Sequence, residues 1–201
     1  MDFSTIKENL TKRGFSVVDF KTKEEANEYL TSKIHDTTVG ICGTMSVVEM
    51  GLYDQLVKNN DVHWHWVVPD GETANDVRGR IRTSEVFLTS VNGIAETGEI
   101  VNIDGRCDRV SNMFDGHERV YFIVGSNKIA PDFDKALWRA RNIASPLNAK
   151  RLGRKTPCAI KGDKCYDCNS PERICRGLTV LWRAPNAGEY EVVLVDEKLG
   201  Y

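Results

Sequence analysis

The sequence contains no long hydrophobic run. A membrane-spanning helix needs roughly 20 consecutive apolar residues, and no stretch of the 201-residue chain has them. Residues Met1–Thr5 also lack the basic and apolar regions of a secretory signal peptide. We therefore expect a cytoplasmic protein without a membrane partner.

A strong net charge is missing as well. The 27 Lys and Arg residues are balanced by 29 Asp and Glu residues, which leaves a formal net charge of -2. Nucleic-acid-binding domains usually carry a clear basic excess, so we predict no nucleic-acid partner. The hydrophobic and charged fractions, 41% and 28%, are ordinary for a globular protein. The length predicts one domain over residues 1–201.

Short apolar segments alternate with amphipathic segments along the chain. The apolar segments have the length and the β-branched content of strands. They are residues 15–20, 37–42, 61–69, 86–91, 100–103, 119–124, 178–182 and 190–195. Because helical patterns separate most of them, the sequence predicts a three-layer α/β domain with a mostly parallel sheet, which the last two segments complete.

Two of the predicted helices begin with the spacing of a capping box. Thr5 is followed three residues later by Glu8, and Thr22 is followed in the same way by Glu25. At this spacing the two side chains bind each other's backbone N–H groups. We therefore predict a capped helix at each place. A third helix, after residue 130, is expected to break at Pro146.

The stretch Val86–Arg109 holds a dense group of polar residues between apolar segments. Its first part, Val86–Val91, has no charge and is typical of a strand buried on both faces. Glu96 follows, among small residues, before the next strand-like segment. Ligands of open α/β sheets bind outside the carboxyl ends of the strands, so we predict a ligand site around Glu96. A solvated hairpin turn is the alternative.

Two further segments, Gly43–Ser46 and Gly125–Lys128, each follow a predicted strand. Glycine turns at such places aim backbone N–H groups at anions, and Lys128 adds a point charge. Neither a complete P-loop nor the dinucleotide-binding glycine triplet is present. A tight turn capped by Thr44 or Ser46 would need no ligand, so both interpretations stay open.

Two groups of basic residues are predicted to be solvated. One is Arg78, Arg80 and Arg82 on a predicted helix, and the other is the run of Lys and Arg within residues 150–155. The second group precedes most of the cysteines, and it would offset the negative charge of a thiolate-ligated metal centre.

His63 and His65 are separated by one residue in a predicted strand, which places both on the same face. Two histidines at this spacing are able to ligate a metal, but no third ligand is evident nearby in the sequence. The polar face of a half-covered strand is therefore the favoured interpretation.

The six cysteines are unevenly distributed. Cys42 and Cys107 are isolated, and the others lie in an insertion at about residues 156–176: Cys158, Cys165, Cys168 and Cys175. Four thiolates so close together are able to hold one zinc ion or one iron-sulfur cluster, because soft sulfur ligands select these metals. The outer spacings match neither common zinc ribbons nor the ferredoxin run, and a redox-active CxxC pair or a mobile loop is the alternative.

Several segments together resemble the LUD family, the lactate-utilisation-protein-C-like proteins. The acid-Thr-Gly of Glu96–Gly98 carries part of the resemblance, as does Asp104-Gly105 with the downstream Arg109. It continues through residues 120–125, 127–129, 142–149 and 165–171, and so covers most of the chain. The loop departs from the family pattern at Arg106, where a smaller residue is expected, and at Asp108, which is usually Asn.

The resemblance implies a fold like that of the NagB/RpiA/CoA-transferase group. It also implies a part in the oxidation of L-lactate or a related 2-hydroxy acid to the keto acid, with iron-sulfur partner subunits. For the four clustered cysteines it favours an iron-sulfur cluster (4Fe-4S) over zinc. Some members of the fold group use a Glu followed closely by a Gly to form a thioester with CoA, and Glu96 with Gly98 looks similar. Glu96 is therefore the candidate catalytic residue.

The sequence and the resemblance together predict a pocket for a small anionic metabolite. Its predicted ligand-binding residues are Gly43, Thr44, Ser46, Glu96, Thr97, Gly98, Asn102, Asp104, Arg109, Asn127 and Lys128. Arg109 is expected to pair with a carboxylate or phosphate, because its planar fork donates two parallel hydrogen bonds. Two other functions stay open: a zinc-stabilised regulatory module, and a CoA-ester or sugar-phosphate transferase or isomerase that uses Glu96. Homo-oligomerisation stays open too.

Overall fold

The structure, a computed structural model, describes residues 1–201. Its strands are β1 (Ser16–Phe20), β2 (Thr38–Ile41), β3 (Asp61–Trp64), β4 (Val86–Ser90), β5 (Gly93–Ala95), β6 (Ile100–Asp104), β7 (Arg119–Gly125), β8 (Ile129–Ala130), β9 (Gly177–Leu181) and β10 (Glu189–Val195). Its α-helices are α1 (Ser4–Lys12), α2 (Lys23–Lys33), α3 (Met45–Met50), α4 (Leu52–Leu56), α5 (Ala74–Ile81), α6 (Asp108–Ser111), α7 (Phe133–Arg139), α8 (Ser145–Arg151) and α9 (Pro157–Lys161). None of these helices combines the length and the apolar character that crossing a bilayer requires.

The central sheet has six strands in the order β1-β10-β7-β4-β2-β3. Every neighbouring pair in it is parallel. The carboxyl ends of all six strands therefore meet at one edge of the sheet. The predicted parallel sheet is confirmed, and the uncharged strand β4 is buried along its whole length, as its composition predicts.

Alternate residues of β7 separate two layers of helices. Val120, Phe122 and Val124 belong to a hydrophobic cluster with residues of α1 and α5. Tyr121 and Ile123 belong to a second cluster with residues of α2, α3 and α4. Because neighbouring side chains of a strand point to opposite faces, the sheet is covered on both sides. The three-layer architecture is confirmed.

A second sheet has four short strands in the order β8-β5-β6-β9. It shares a hydrophobic cluster with α1 and α5, on the same side of the central sheet. Its pairs β5–β6 and β6–β9 are antiparallel. The prediction that the last two apolar segments together complete the central sheet is therefore half wrong. Only β10 enters that sheet, between β1 and β7, whereas β9 pairs with β6. The sequence pattern of a strand indicates that the strand is buried, but it does not indicate which strand it pairs with.

The two predicted helix caps have different outcomes. Thr22 and Glu25 form the reciprocal capping box, so that prediction is confirmed. The capping box of Thr5 is wrong, because α1 begins two residues earlier than that box requires and has Phe3 at its N-cap, with no side-chain cap. The Asp2 carboxylate instead accepts a hydrogen bond from the Ser4 N–H at 2.9 Å.

The predicted break at Pro146 is also wrong. A π-helical turn over residues 140–144 joins α7 to α8, and Pro146 lies in the first turn of α8. Pro146 has no N–H to donate to the preceding turn, and the wider π-helical turn just before it interrupts the regular i→i−4 hydrogen bonds at this point. The Ser145 hydroxyl donates to the Ala140 carbonyl at 2.8 Å within this turn. The π-helical turn thus lets the chain continue as a helix towards the cysteines.

Candidate functional site

A cavity of about 830 Å³ opens at the carboxyl ends of β2, β3, β4 and β7. Residues that follow these strands, including Thr44, His65, Asn92 and Lys128, form its floor. Residues of α8 and of the segment 171–176 form another wall. The volume is in the range of sites that enclose cofactor-sized or drug-sized ligands. This cavity therefore lies at the predicted location, the carboxyl edge of a parallel sheet.

Positive charge dominates the lining of the cavity. Eight lining residues are basic: Arg78, Arg106, Arg109, Lys128, Arg151, Arg154, Arg173 and Arg176. Three are acidic: Asp104, Asp108 and Glu172. Because the wall excludes water from part of the space, this excess creates a potential that attracts anions more strongly than the same charges would on an open surface.

Lys128 is the most unusual residue of the cavity. Its side chain is buried, and its ammonium donates to Ser90 Oγ at 2.8 Å and to Ser46 Oγ at 3.1 Å. No Asp or Glu forms an ion pair with it. Burial, with smaller contributions from Arg139 and Arg109, lowers the pKa of Lys128 to about 7. A buried cation without a counter-ion is a candidate binding group for an anionic ligand.

The turn after β7 holds Lys128 in place. Gly125 ends that strand where a Cβ atom would lie 2.5 Å from the Leu199 backbone nitrogen, so only glycine allows this approach. Asn127 does not line the cavity. Its side chain accepts from the Leu199 N–H at 3.1 Å and donates to the Gly200 carbonyl at 3.2 Å. Asn127 therefore holds the segment that covers Lys128.

Arg109 lines the cavity, but both terminal nitrogens of its guanidinium group already donate hydrogen bonds within the protein. Nη1 donates to Asn102 Oδ1 at 2.6 Å and to the Ser90 carbonyl at 3.1 Å. Nη2 donates to the Ile103 carbonyl at 2.9 Å and to Asn92 Oδ1 at 3.1 Å. These bonds tie the end of β4 to β6. Arg109 thus contributes charge and rigidity to the cavity, rather than the free bidentate fork that we expected.

Other predicted residues support the cavity in different ways. Gly43, Thr44 and Asp104 line it. Ser46 holds Lys128 from behind the wall, and the buried Asn102 holds Arg109. The Asp104 carboxylate accepts from the backbone N–H groups of residues 106, 109 and 110, which fixes the loop that starts α6.

Glu96, Thr97 and Gly98 lie outside the cavity. They form the turn between β5 and β6 and pack against the end of α1, where Asn9 donates to the Glu96 carbonyl at 2.7 Å. Arg13 donates to the Thr97 carbonyl at 2.7 Å. The expectation of a ligand site around Glu96 needs correction, because the short strand β5 carries the chain away from the carboxyl edge before Glu96 is reached.

Replacing Glu96 with Gln is therefore expected to leave anion binding by the cavity unchanged within about twofold, since the group lies outside it. Isothermal titration calorimetry with pyruvate, compared with Lys128→Met, measures the difference. If Glu96→Gln and Lys128→Met lost pyruvate binding equally, Glu96 would belong to the binding site after all.

The four clustered cysteines lie beside the cavity in the α8–β9 connection. Cys158 is buried in α9, and Cys165, Cys168 and Cys175 are half-buried. Cys165 Sγ accepts from the Asp167 N–H at 3.4 Å and from Arg141 Nη2 at 3.8 Å. Burial raises the pKa of Cys175, and the neighbouring Cys165 and Cys158 raise it further.

The spacing of these sulfur atoms bears on which metal group they fit. A tetrahedral zinc site with bonds of about 2.3 Å brings its four sulfurs to about 3.8 Å from one another. No three of the four cysteine sulfurs lie within 4.8 Å of one another. A cubane cluster holds its ligand sulfurs farther apart than one zinc ion does. The four sulfurs are therefore not placed as the ligands of one zinc ion, and an iron-sulfur cluster at this place stays a prediction.

Several cavity residues were not predicted as site residues. Arg78 was expected on a solvated face, yet its Nε donates to Asp108 Oδ2 at 2.7 Å in the cavity wall. Arg173 and Arg176 come from the cysteine insertion, and no local pattern sets them apart from ordinary surface arginines. Arg151 and Arg154 were noticed only for their position before the cysteines.

A parallel α/β sheet with a cavity at the carboxyl ends of its strands is the arrangement in which open α/β proteins bind their ligands. Residues 4–195 match the LUD domain family, so the chain belongs to that family. The family is associated with lactate utilisation.

A crystal structure of a DUF162 family protein from Deinococcus radiodurans has a similar fold, with a TM-score of 0.55 and 13% sequence identity. The similarity covers 97% of this chain and 99% of that chain, and at this identity it shows the fold alone. A comparison with curated protein sequences gives no significant match. The NagB/RpiA/CoA-transferase likeness stays a prediction.

Proposed function

We propose that this protein binds L-lactate or a related 2-hydroxy acid in the cavity and takes part in its oxidation to the keto acid. The family association with lactate utilisation supports the substrate class. The observation that carries the proposal is Lys128, a buried cation that has two hydroxyl partners and no carboxylate partner. A carboxylate ligand would supply the missing counter-ion.

The residues around Lys128 suit the binding of a carboxylate. In its charged form the ammonium pairs with the anion, and Ser46 and Ser90 hold its direction. Burial lowers the pKa of Lys128 to about 7, so the free cavity holds both the charged and the neutral form near neutrality. A bound carboxylate would favour the charged form, which pairs with it.

The cavity, at about 830 Å³, is much larger than a three-carbon acid. The acid would therefore occupy the part next to Lys128. The remaining space, lined by Arg151, Arg154 and Arg173, would admit a larger anionic molecule. The transferase or isomerase alternative gains no support, since Glu96 lies outside the cavity.

The four cysteines are the proposed site of an iron-sulfur cluster (4Fe-4S). A cluster bound there would supply a one-electron acceptor, so the two electrons released by the 2-hydroxy acid would have to leave one at a time towards the partner subunits. Arg141, Arg173 and Arg176 lie along the insertion and would offset its negative charge. The residues on either side of Cys175, which are Ile174 and Arg176, line the cavity. Iron-sulfur partner subunits are the proposed next electron acceptors.

Replacing both Cys165 and Cys168 with Ser is expected to remove the metal centre, because it deletes two of four thiolate ligands. Wild-type protein purified without oxygen should be brown and should bleach on reduction, whereas the variant should be colourless. Iron and sulfide analysis measures the loss, and Cys107→Ser is the matched control. Colourless wild-type protein with stoichiometric zinc that is lost in the double variant would favour the regulatory module instead.

The affinity of the cavity for a carboxylate is expected to fall as the pH rises above about 7, the pKa of free Lys128. Only the charged ammonium pairs with the anion, so the loss approaches about tenfold per pH unit. Titration calorimetry with lactate and pyruvate between pH 6 and 9 measures it. An affinity that does not change over this range would contradict the role of Lys128.

A further inference from the structure

A second group of polar side chains meets at the carboxyl edge of the sheet. Strands β2 and β3 are parallel, and Ile41 is opposite Trp64. The next residue of each strand, Cys42 and His65, therefore lie side by side just beyond the sheet. The first residue of α6, Asp108, reaches the same place from the loop after β6.

The donor atoms of these three side chains lie within 4.8 Å of one another. No other set of three or more His, Cys, Asp or Glu side chains in the chain meets this distance. The sequence suggested a histidine pair without a third ligand. The structure instead ends β3 at Trp64, so His63 and His65 do not share a strand face. His63 lies near Asp61, at 3.5 Å, and away from this group.

Two polar atoms at this place are buried and have no hydrogen-bond partner. They are His65 Nδ1 and Thr44 Oγ1. A buried polar atom left without a partner costs about 1–3 kcal/mol, so folded proteins rarely keep one without a use. The Cys42 sulfur is buried and has only a weak contact, with Asn112 Nδ2 at 4.0 Å. The group therefore keeps one histidine nitrogen without a hydrogen bond and one thiol with only a weak contact.

We propose that Cys42, His65 and Asp108 bind one divalent metal ion of the zinc type, with its fourth coordination position facing the cavity. One sulfur, one nitrogen and one oxygen ligand suit zinc, which accepts all three. His65 and Asp108 both line the cavity. Three protein ligands with an open position are the arrangement of zinc sites that activate water or polarise a bound oxygen.

The surroundings of the three side chains agree with this proposal. Tetrahedral zinc needs donor atoms about 3.3–3.8 Å apart. The present separations are within 4.8 Å, so side-chain movements of at most about 1.5 Å would reach this spacing. Arg78 holds Asp108 through Oδ2 at 2.7 Å, and Oδ1 is held only by the Arg109 N–H at 3.0 Å. Hydrogen-bonded carboxylates of this kind are common among metal ligands. One thiolate and one carboxylate would neutralise the charge of the ion.

The proposal is tested with cobalt(II), which replaces zinc and absorbs light when bound by a thiolate. The four cysteines of the insertion are first replaced with Ser in the full chain, so that they cannot bind cobalt: Cys158, Cys165, Cys168 and Cys175. We expect this protein to bind one equivalent of cobalt and to show the thiolate-to-cobalt absorption. Adding Cys42→Ser should abolish that absorption, and adding Cys107→Ser should leave it unchanged.

A second pair of variants tests the histidine ligand. His65→Ala should weaken zinc binding by more than about tenfold in competition with a chromophoric chelator, whereas the neighbouring His63→Ala should not. If the quadruple variant does not fold, the same titrations on the wild-type background should still differ by one equivalent between Cys42→Ser and Cys107→Ser. Cobalt absorption that survives Cys42→Ser, or no stoichiometric binding, would overturn the proposal.

Discussion

Replacing Lys128 with Met is expected to stabilise the protein by about 3 kcal/mol at pH 6. The pKa of Lys128 falls from 10.5 to about 7 on folding. A shift of this size means that burial of the charged form costs about 5 kcal/mol. Met has a similar length and no charge, so it removes this cost. The lost hydrogen bonds to Ser46 and Ser90 offset about 2 kcal/mol of the gain.

The stability gained by replacing Lys128 with Met depends on pH. Below about pH 7, Lys128 is charged in both the folded and the unfolded chain, and the full cost of burial is present. Between about pH 7 and 10.5 the folded chain has released the proton while the unfolded chain still binds it. The wild type is therefore stabilised by about 1.4 kcal/mol per pH unit over this window. The advantage of Lys128→Met should shrink by the same amount.

Urea unfolding at pH 6 and at pH 9 measures both effects. Lys21→Met is the matched control, because Lys21 is exposed and its side chain has no partner, and its effect should be within about 0.5 kcal/mol. Binding of lactate and pyruvate should be lost in Lys128→Met only. A less stable Lys128→Met protein at pH 6 would show that the lysine serves to hold the fold and not to bind a ligand.

Replacing Arg109 with Ala is expected to lower the free energy of unfolding by about 4 kcal/mol. The guanidinium satisfies four oxygen atoms, on Ser90, Asn92, Asn102 and Ile103. The side-chain oxygens of Asn92 and Asn102 also accept from backbone N–H groups, so the loss comes mainly from the carbonyls of Ser90 and Ile103. A buried acceptor left without a donor costs about 1–3 kcal/mol. Arg109→Lys should recover less than half of the loss, because an ammonium does not reproduce the planar fork.

Urea unfolding again provides the measurement. Arg80→Ala is the control, since Arg80 makes a surface ion pair with Glu72 and should contribute less than about 1 kcal/mol. A loss in Arg109→Ala no larger than in Arg80→Ala would mean that the loops around the cavity do not depend on Arg109. The same result would revive its direct role in anion binding.

Sequence patterns predicted the layers of the protein well because burial leaves a local trace. The uncharged segment of β4 indicated a strand covered on both faces, and the structure buries all of it. The turn that carries Lys128 was recognised because glycine and polar residues follow an apolar strand. Glu96 was placed at the ligand site incorrectly because the strand before it, β5, left no trace in the sequence pattern. The three residues of β5 are too few to show a period, so the turn after them looked like the exit of β4.

The sequence by itself determined the three-layer class, the cysteine-rich insertion and the family, because each depends on residues close together along the chain. Only the tertiary structure decided which side chains form the cavity. Arg78, Lys128 and Arg173 come from three distant segments, and their meeting follows from strand order and loop paths. The same holds for Cys42 and His65, which became neighbours through the pairing of two parallel strands. Such pairing depends on the packing of the whole core, which no local pattern records.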